Sequence, residues 1–221
     1  MGQPNIHLTS EPPNFDAGFR ARLRDLLKWR RDVRRFKHDT LPDGTIERLI
    51  ETACLSPSVG LSEPWRFVIV QDNTKRARIR ANFEICNADA LAQQTPDRAG
   101  LYARLKLAGL DDAPCQLSVF ADRSTLQGSG LGRLTMPETI EYSVVMAIQT
   151  LWLAARAEGI GLGWVSILDP ARMTKILDVP PEWIFIGHLC IGYPQAAADR
   201  PVLEAEGWER RRSPEARILY R

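Results

Sequence analysis

The chain has 221 residues, with 44% hydrophobic and 25% charged residues, an ordinary balance for a globular protein long enough for one substantial core. The 29 basic and 27 acidic residues leave a net charge of +2, which excludes a general nucleic-acid or membrane-surface binder and leaves only local basic clusters to consider. No stretch has the apolar length of a membrane span, the start MGQPNIHLTSEPPN lacks the charged-then-apolar pattern of a secretory signal, and a cytoplasmic protein is expected.

Residues 1–14 are polar and carry Pro4, Pro12 and Pro13, so they read as an extended arm. From Asn14 the pattern turns helical: Phe15, Phe19, Leu23, Leu26 and Leu27 recur at steps of three and four, up to about Trp29. Pro42-Asp43-Gly44 marks a turn, and Ile46, Leu49, Ile50, Ala53 and Cys54 mark an amphipathic helix after it. Trp65–Val70 reads as a strand, 72–109 as mostly helical, and Gln116–Ala121 as a second strand.

Residues 124–135, STLQGSGLGRLT, form a glycine-bearing loop. Thr135 and Glu138 have the spacing of a capping box, with Pro137 suited to a first helical turn. The helix that follows, to about Glu158, is apolar on most sides, which predicts burial in a core or a subunit interface. Gly159 ends it as a left-handed cap. Ile160–Ile167 is a strand, Asp169-Pro170 caps a short helix, and Trp183–Ile191 is a last apolar strand. Residues 195–221 are polar, with six arginines, and form a tail. Helices come first, then strands separated by long helices without hairpin signals: an α+β chain with a mixed sheet, in one domain.

Three runs could carry chemistry. RRDVRRF, residues 30–36, sets four arginines and Asp32 between a helix end and an extended segment. Arginine forks match phosphate oxygens in pairs; a solvated basic corner at a helix C-terminus is the plain alternative. An acid among arginines is either a structural clamp or a proton-handling group. SPSVGLSEPW, residues 56–65, joins a helix to a strand with small residues and Gly60, so it is an ordinary connection or a place where backbone approaches a flat ligand. GIGLGWVSI, residues 159–167, is a strand with three glycines, which implies that another group lies against it. Its spacing does not fit a dinucleotide fingerprint, and no histidine near Ser166 suggests a hydrolase triad. Trp208-Glu209-Arg210-Arg211-Arg212 forms a second basic cluster, a solvated tail by default, or, if the tail folds back, the source of an arginine that shares a phosphate with the first cluster. The four cysteines read as buried free thiols in a reducing compartment, and the three histidines show no metal-ligand spacing, so no metal is expected.

In this order, the runs resemble the nitroreductase family of FMN proteins over roughly residues 20–212. In that family an Arg-Arg-Ser-x-Arg-like run opens the flavin site, a Pro-Ser-x-x-Asn-x-Gln-Pro-Trp-like loop lines it, and a glycine-rich strand flanks the ring. The resemblance implies an α+β fold and an intertwined homodimer with flavin at the subunit interface. Here Asp32 stands for the family's serine, and Leu61 and Glu63 for its asparagine and glutamine. With YARLKLAGL (102–110), TMPETIEYSVV (135–145) and GWVSILDP (163–170), these departures are similar to a branch that consumes its flavin. That branch breaks up reduced FMN with molecular oxygen to give 5,6-dimethylbenzimidazole and erythrose 4-phosphate, and depends on a separate flavin reductase.

The branch implies roles residue by residue. Asp32 and Ser166 match its catalytic aspartate and serine. Arg30, Arg31 and Arg34 would anchor phosphate and ribityl chain beside Val33. Ser58, Gly60, Leu61 and Gly163 would line the flavin, Arg210 would return to the phosphate, and Lys106 would face the ligand from a lid over 82–110. An FMN reductase that keeps its cofactor, or a flavin carrier with Asp32 as a clamp, would be the other readings.

Overall fold

The computed structural model describes residues 13–221, so the arm expected over 1–14 falls almost entirely outside the described residues. Helix α1 (Ala17–Trp29) is capped by Asp16, whose carboxylate accepts the N–H of Phe19 at 2.6 Å. Gly44, at φ +76°, makes the expected turn into α2 (Thr45–Ala53). Then come a 3₁₀ turn (Val59–Leu61), β1 (Trp65–Ile69), α3 (Asn73–Ala92), α4 (Pro96–Arg104), β2 (Cys115–Asp122) and α5 (Thr139–Ala157). The chain continues with β3 (Gly161–Val165), α6 (Pro170–Leu177), β4 (Trp183–Gly192), the one-turn α7 (Val202–Ala205) and a second 3₁₀ turn (Pro214–Arg217).

The helical stretch expected over 72–109 is two helices. Gln93 ends the first, and Pro96 starts the second at the position where a missing N–H costs nothing. The capping box expected at Thr135 and Glu138 does not form. Thr135 instead bonds the carbonyl of Gly132, and α5 begins at Thr139 with no side-chain cap. Its other end is as expected: Gly159, at φ +76°, lets Ile160 N–H reach the carbonyl of Ala155 at 2.8 Å. Asp169 caps α6 by accepting from Ala171 and Arg172.

The strands form one sheet in the order β1-β2-β4-β3, and every pair is antiparallel. The expected mixed character is confined to an isolated parallel bridge, Asp32 to Leu162, at the β3 edge. Strand alternation divides the interior in two. Leu117, Val119, Leu189 and Ile191 pack against α2 and α5, while Phe120, Cys190 and Val165 join Phe36, Ile79 and α6 on the other face. That second face also buries His188, whose Nδ1 accepts from the Ser118 hydroxyl at 2.8 Å and whose Nε2 donates to Gln116 Oε1 at 3.1 Å, because the Gln116 amide already donates to Leu110.

Helix α5 is two-faced. Ile140, Val144, Ala147, Ile148, Leu151 and Ala155 are buried, whereas Tyr142, Val145 and Met146 are exposed. Helix α1 buries no residue at all, although Phe15, Phe19, Leu23 and Leu27 form an apolar stripe. Of the four thiols expected to be buried, only Cys190 is; Cys86 and Cys115 are half-buried, and Cys54, just past the last turn of α2, is exposed. No helix among the described residues is long and apolar enough to cross a membrane.

Candidate active site

The arginine run owes its place to backbone. Val33 N–H donates to Leu162 O at 3.0 Å, and Lys37 N–H donates to Tyr193 O at 2.8 Å. Phe36, fully buried, pins the far end. Residues 31–37 therefore lie as an added strand-like segment beside β3. The glycines of β3 are explained by this. A Cβ on Gly163 would lie 2.1 Å from Val33 O, and one on Gly161 would lie 2.8 Å from a Val33 methyl. The group expected against the glycine strand is thus the chain's own arginine run.

Asp32 is clamped at both oxygens. Oδ1 accepts the Trp164 N–H at 2.9 Å, and Oδ2 pairs with Arg34 Nε at 2.8 Å. Arg34 is mostly buried and also donates to Lys106 O at 3.0 Å. Lys106 Nζ is itself paired with Asp112 at 2.5 Å, so this lysine enters the site through its backbone and stem. Ser166 lies one residue past the end of β3 and is exposed. It stands two residues beyond Trp164, roughly 7 Å along the strand direction, and Asp32 is hydrogen-bonded to Trp164 and Arg34 rather than to it.

Arg31, Asp32, Val33 and Arg34 line a cavity of about 290 Å³ together with Arg104, Lys106, Trp152, Arg156, Leu162 and the tail residues Pro194–Ala198, Val202 and Glu206. The Arg30 guanidinium lies 4.6 Å from the centre of the Trp152 ring, and the indole N–H of Trp152 donates to Arg31 O at 3.2 Å. Arg31 donates to Asp199 O at 2.7 Å, yet its Nε is buried with no partner. Burial lowers the pKa of Arg30, with the Arg211 charge adding to the effect and Asp32 opposing it. Arg31 is lowered by burial, then by Arg211 and Arg30. The run is thus a cluster of partly desolvated cations with an unused buried donor, which suits an anion such as a phosphate. Of the tail arginines, Arg211 contributes charge at Arg30 and Arg31; Arg210, the expected one, is exposed, as Arg211 is, and turns its backbone N–H to the Glu209 carboxylate.

The loop at 56–65 sits elsewhere. Ser58 accepts the Glu63 N–H at 3.1 Å, and Val59 N–H donates to Ser143 Oγ at 3.0 Å. Gly60, Leu61 and Glu63 all have positive φ, at +57°, +54° and +43°. A Cβ on Gly60 would stand 2.8 Å from Leu131 O, so its freedom serves packing against the 124–135 loop. Leu61 is 69% exposed. The two halves of the expected site touch α5 nine residues apart, at Ser143 and Trp152, a separation of roughly 13 Å along the helix. Within one chain they do not meet. Trp152, Arg156 and the tail wall were not singled out from sequence: the first two sit in a helix whose apolar pattern reads as core, and the tail shows no periodicity. Among the described residues no three His, Cys, Asp or Glu side chains are grouped to hold a metal.

A sequence model of the Nitroreductase family matches residues 27–193. The chain belongs to the nitroreductase family. It is 56% identical over 200 residues to a 5,6-dimethylbenzimidazole synthase of Rhodospirillum rubrum, covering 90% of this chain and 95% of that one. It is 46% identical over 196 residues to a 5,6-dimethylbenzimidazole synthase of Rhodobacter capsulatus, covering 89% and 95%. Among solved structures, an oxidised iodotyrosine deiodinase bound to FMN and 3-iodo-L-tyrosine aligns with a TM-score of 0.67 and 28% identity, over 80% of this chain and 91% of that one.

Proposed function

We propose that this chain converts reduced FMN, with molecular oxygen, to 5,6-dimethylbenzimidazole and erythrose 4-phosphate. The observation that carries the reading is Asp32: a carboxylate held inside an arginine cluster at the wall of a cavity, in a chain similar to named 5,6-dimethylbenzimidazole synthases over nine-tenths of its length. Reduced FMN would supply the carbon skeleton and electrons, and oxygen the oxidising power.

The chain's own residues have definable tasks. Arg30, Arg31 and Arg34, with Arg211, hold the phosphate end; the unpartnered Arg31 Nε and the mutual repulsion of these cations support that assignment. A cavity of about 290 Å³ is at the small end for small-molecule sites, so it suits the phosphate and ribityl end while the ring extends beyond it. Asp32, fixed by Trp164 and Arg34, is the group to orient the ribityl chain or move a proton there. Ser166, exposed past β3 on the same alternation as Trp164, positions the ring. Residues 82–110 act as the lid, keeping water from the reacting flavin.

The second half of the flavin site comes from a second copy of the chain. The roughly 13 Å gap along α5, the uncovered stripe of α1 and the exposed Leu61, Leu131, Tyr142 and Met146 support a homodimer in which Ser58, Gly60 and Leu61 cover the partner's flavin. The four free cysteines fit a cytoplasmic setting, where a separate flavin reductase supplies the reduced substrate. The test is to mix purified protein with reduced FMN and air. Benzimidazole product is expected; recovery of oxidised FMN alone would contradict the reading.

A further inference from the structure

The tail runs from the end of β4 along the arginine run, where Asp199 O accepts from Arg31, and Val202 and Glu206 then line the cavity. Gly207, at φ +75°, turns the chain back, and Trp208 N–H closes α7 on Leu203 O at 2.8 Å. The Trp208 side chain then lands on α4. The Arg98 guanidinium lies 4.0 Å from the centre of its ring, and Arg98 also donates to the Trp208 carbonyl at 2.6 Å. Tyr102 meets the same ring edge-on at 6.0 Å, while its hydroxyl donates to Asn87 on α3 at 2.9 Å. One indole thus ties together α3, α4 and the tail.

Helix α4 ends at Arg104 and leads into Leu105 and Lys106; these three form another wall of the cavity, and Lys106 O receives Arg34. The tail wall and the α4 wall therefore share one fastening. Arg211 follows Trp208 by three residues. Its charge bears on Arg30 and Arg31.

We infer that Trp208 is a positioning residue: seated between Arg98 and Tyr102, it latches the tail to α4, so that Arg211 and the cavity's lid-side wall are presented to the flavin phosphate as one unit. The inference rests on the FMN reading for the identity of the ligand, and on the contacts alone for the latch. It predicts that loss of the indole is felt through the phosphate and not through the ring, because the partners of Trp208 are Arg98 and Tyr102 on α4 and Leu203 in the tail.

The experiment measures binding of oxidised FMN and of riboflavin, which lacks the phosphate, to the full chain and to Trp208→Leu, Trp208→Phe, Arg98→Gln, Arg211→Gln and Trp208→Leu/Arg211→Gln. Hydrogen exchange is followed over residues 96–104 in the same proteins. Trp208→Leu is expected to weaken FMN about tenfold and riboflavin less than twofold, with the phenylalanine variant restoring most of the loss. The double variant is expected to bind no more weakly than the worse single one. Exchange in α4 is expected to rise in Trp208→Leu and in Arg98→Gln, which attacks the latch from its other side. Unchanged FMN binding in Trp208→Leu, equal losses for FMN and riboflavin, or fully additive effects with Arg211→Gln would each overturn the coupling. Wild-type protein that binds riboflavin as tightly as FMN would overturn the phosphate site and Arg211's role in it. Unchanged α4 exchange would overturn the latch whichever ligand the cavity takes.

Discussion

A methyl group on Gly163 would stand 2.1 Å from the carbonyl oxygen of Val33. No pair of unbonded carbon and oxygen atoms tolerates that distance, and the obstacle is backbone, so the arginine run would have to leave β3. Gly163→Ala is therefore expected to cost about 2 kcal/mol in urea denaturation and to weaken FMN binding at least tenfold. Gly159→Ala is the control. Its φ is +76° with nothing within 4 Å of an added Cβ, so it should cost about 1 kcal/mol and leave FMN affinity intact. Equal flavin binding in both variants would contradict the dependence of the site on this contact.

Helix α1 carries Phe19, 37% exposed, and Leu23, 40% exposed, and none of its residues is buried. Wild-type protein is expected to run as a dimer in size-exclusion chromatography with light scattering. Phe19→Glu with Leu23→Glu should shift it to a monomer and reduce FMN affinity at least tenfold, because half of the flavin site would be lost. A wild-type monomer that binds FMN fully would contradict the shared site.

His188 is fully buried beside Ser118 and Gln116, and burial followed by the Arg76 charge lowers its pKa from 6.5 to about 3. Between these values the unfolded chain binds a proton that the folded chain refuses. The stabilisation is fully present above about pH 6.5 and is lost as the pH falls toward 3, at up to about 1.4 kcal/mol per pH unit. His188→Gln is expected to be less stable than wild type at pH 7.5 and to show a shallower loss between pH 6.5 and 4.5 in urea denaturation. A wild-type slope no steeper than the variant's would contradict the neutral buried imidazole.

Much of this was legible from residue order. The four strands announced themselves as short apolar runs between helical patterns, and Gly44, Gly159 and Asp169 marked their turn and caps through local chemistry. The division at Gln93–Thr95 escaped because the polar helical pattern runs through it and only Pro96 interrupts. The capping box at Thr135 failed because Gly132 offers that hydroxyl a nearer acceptor. In the site, Asp32 and its arginines stood out because they are neighbours in sequence. The Trp208–Arg98 contact joins residues 110 positions apart, and no local pattern encodes it. Gly161 and Gly163 of the β3 run did signal a close approach, but that Val33 of the arginine run is what approaches them is visible only in the fold.

The central claim is that Asp32 serves the chemistry of a flavin that is consumed, rather than the grip on one that is kept. Asp32→Asn preserves an oxygen for the Trp164 N–H while removing the charge, so it tests that claim with little change in shape. Reduced FMN and air should be supplied to wild type and variant, with oxidised FMN affinity measured alongside. The account predicts affinity within about fivefold of wild type and benzimidazole formation reduced at least a hundredfold. Product formation by Asp32→Asn at a rate near wild type would contradict it.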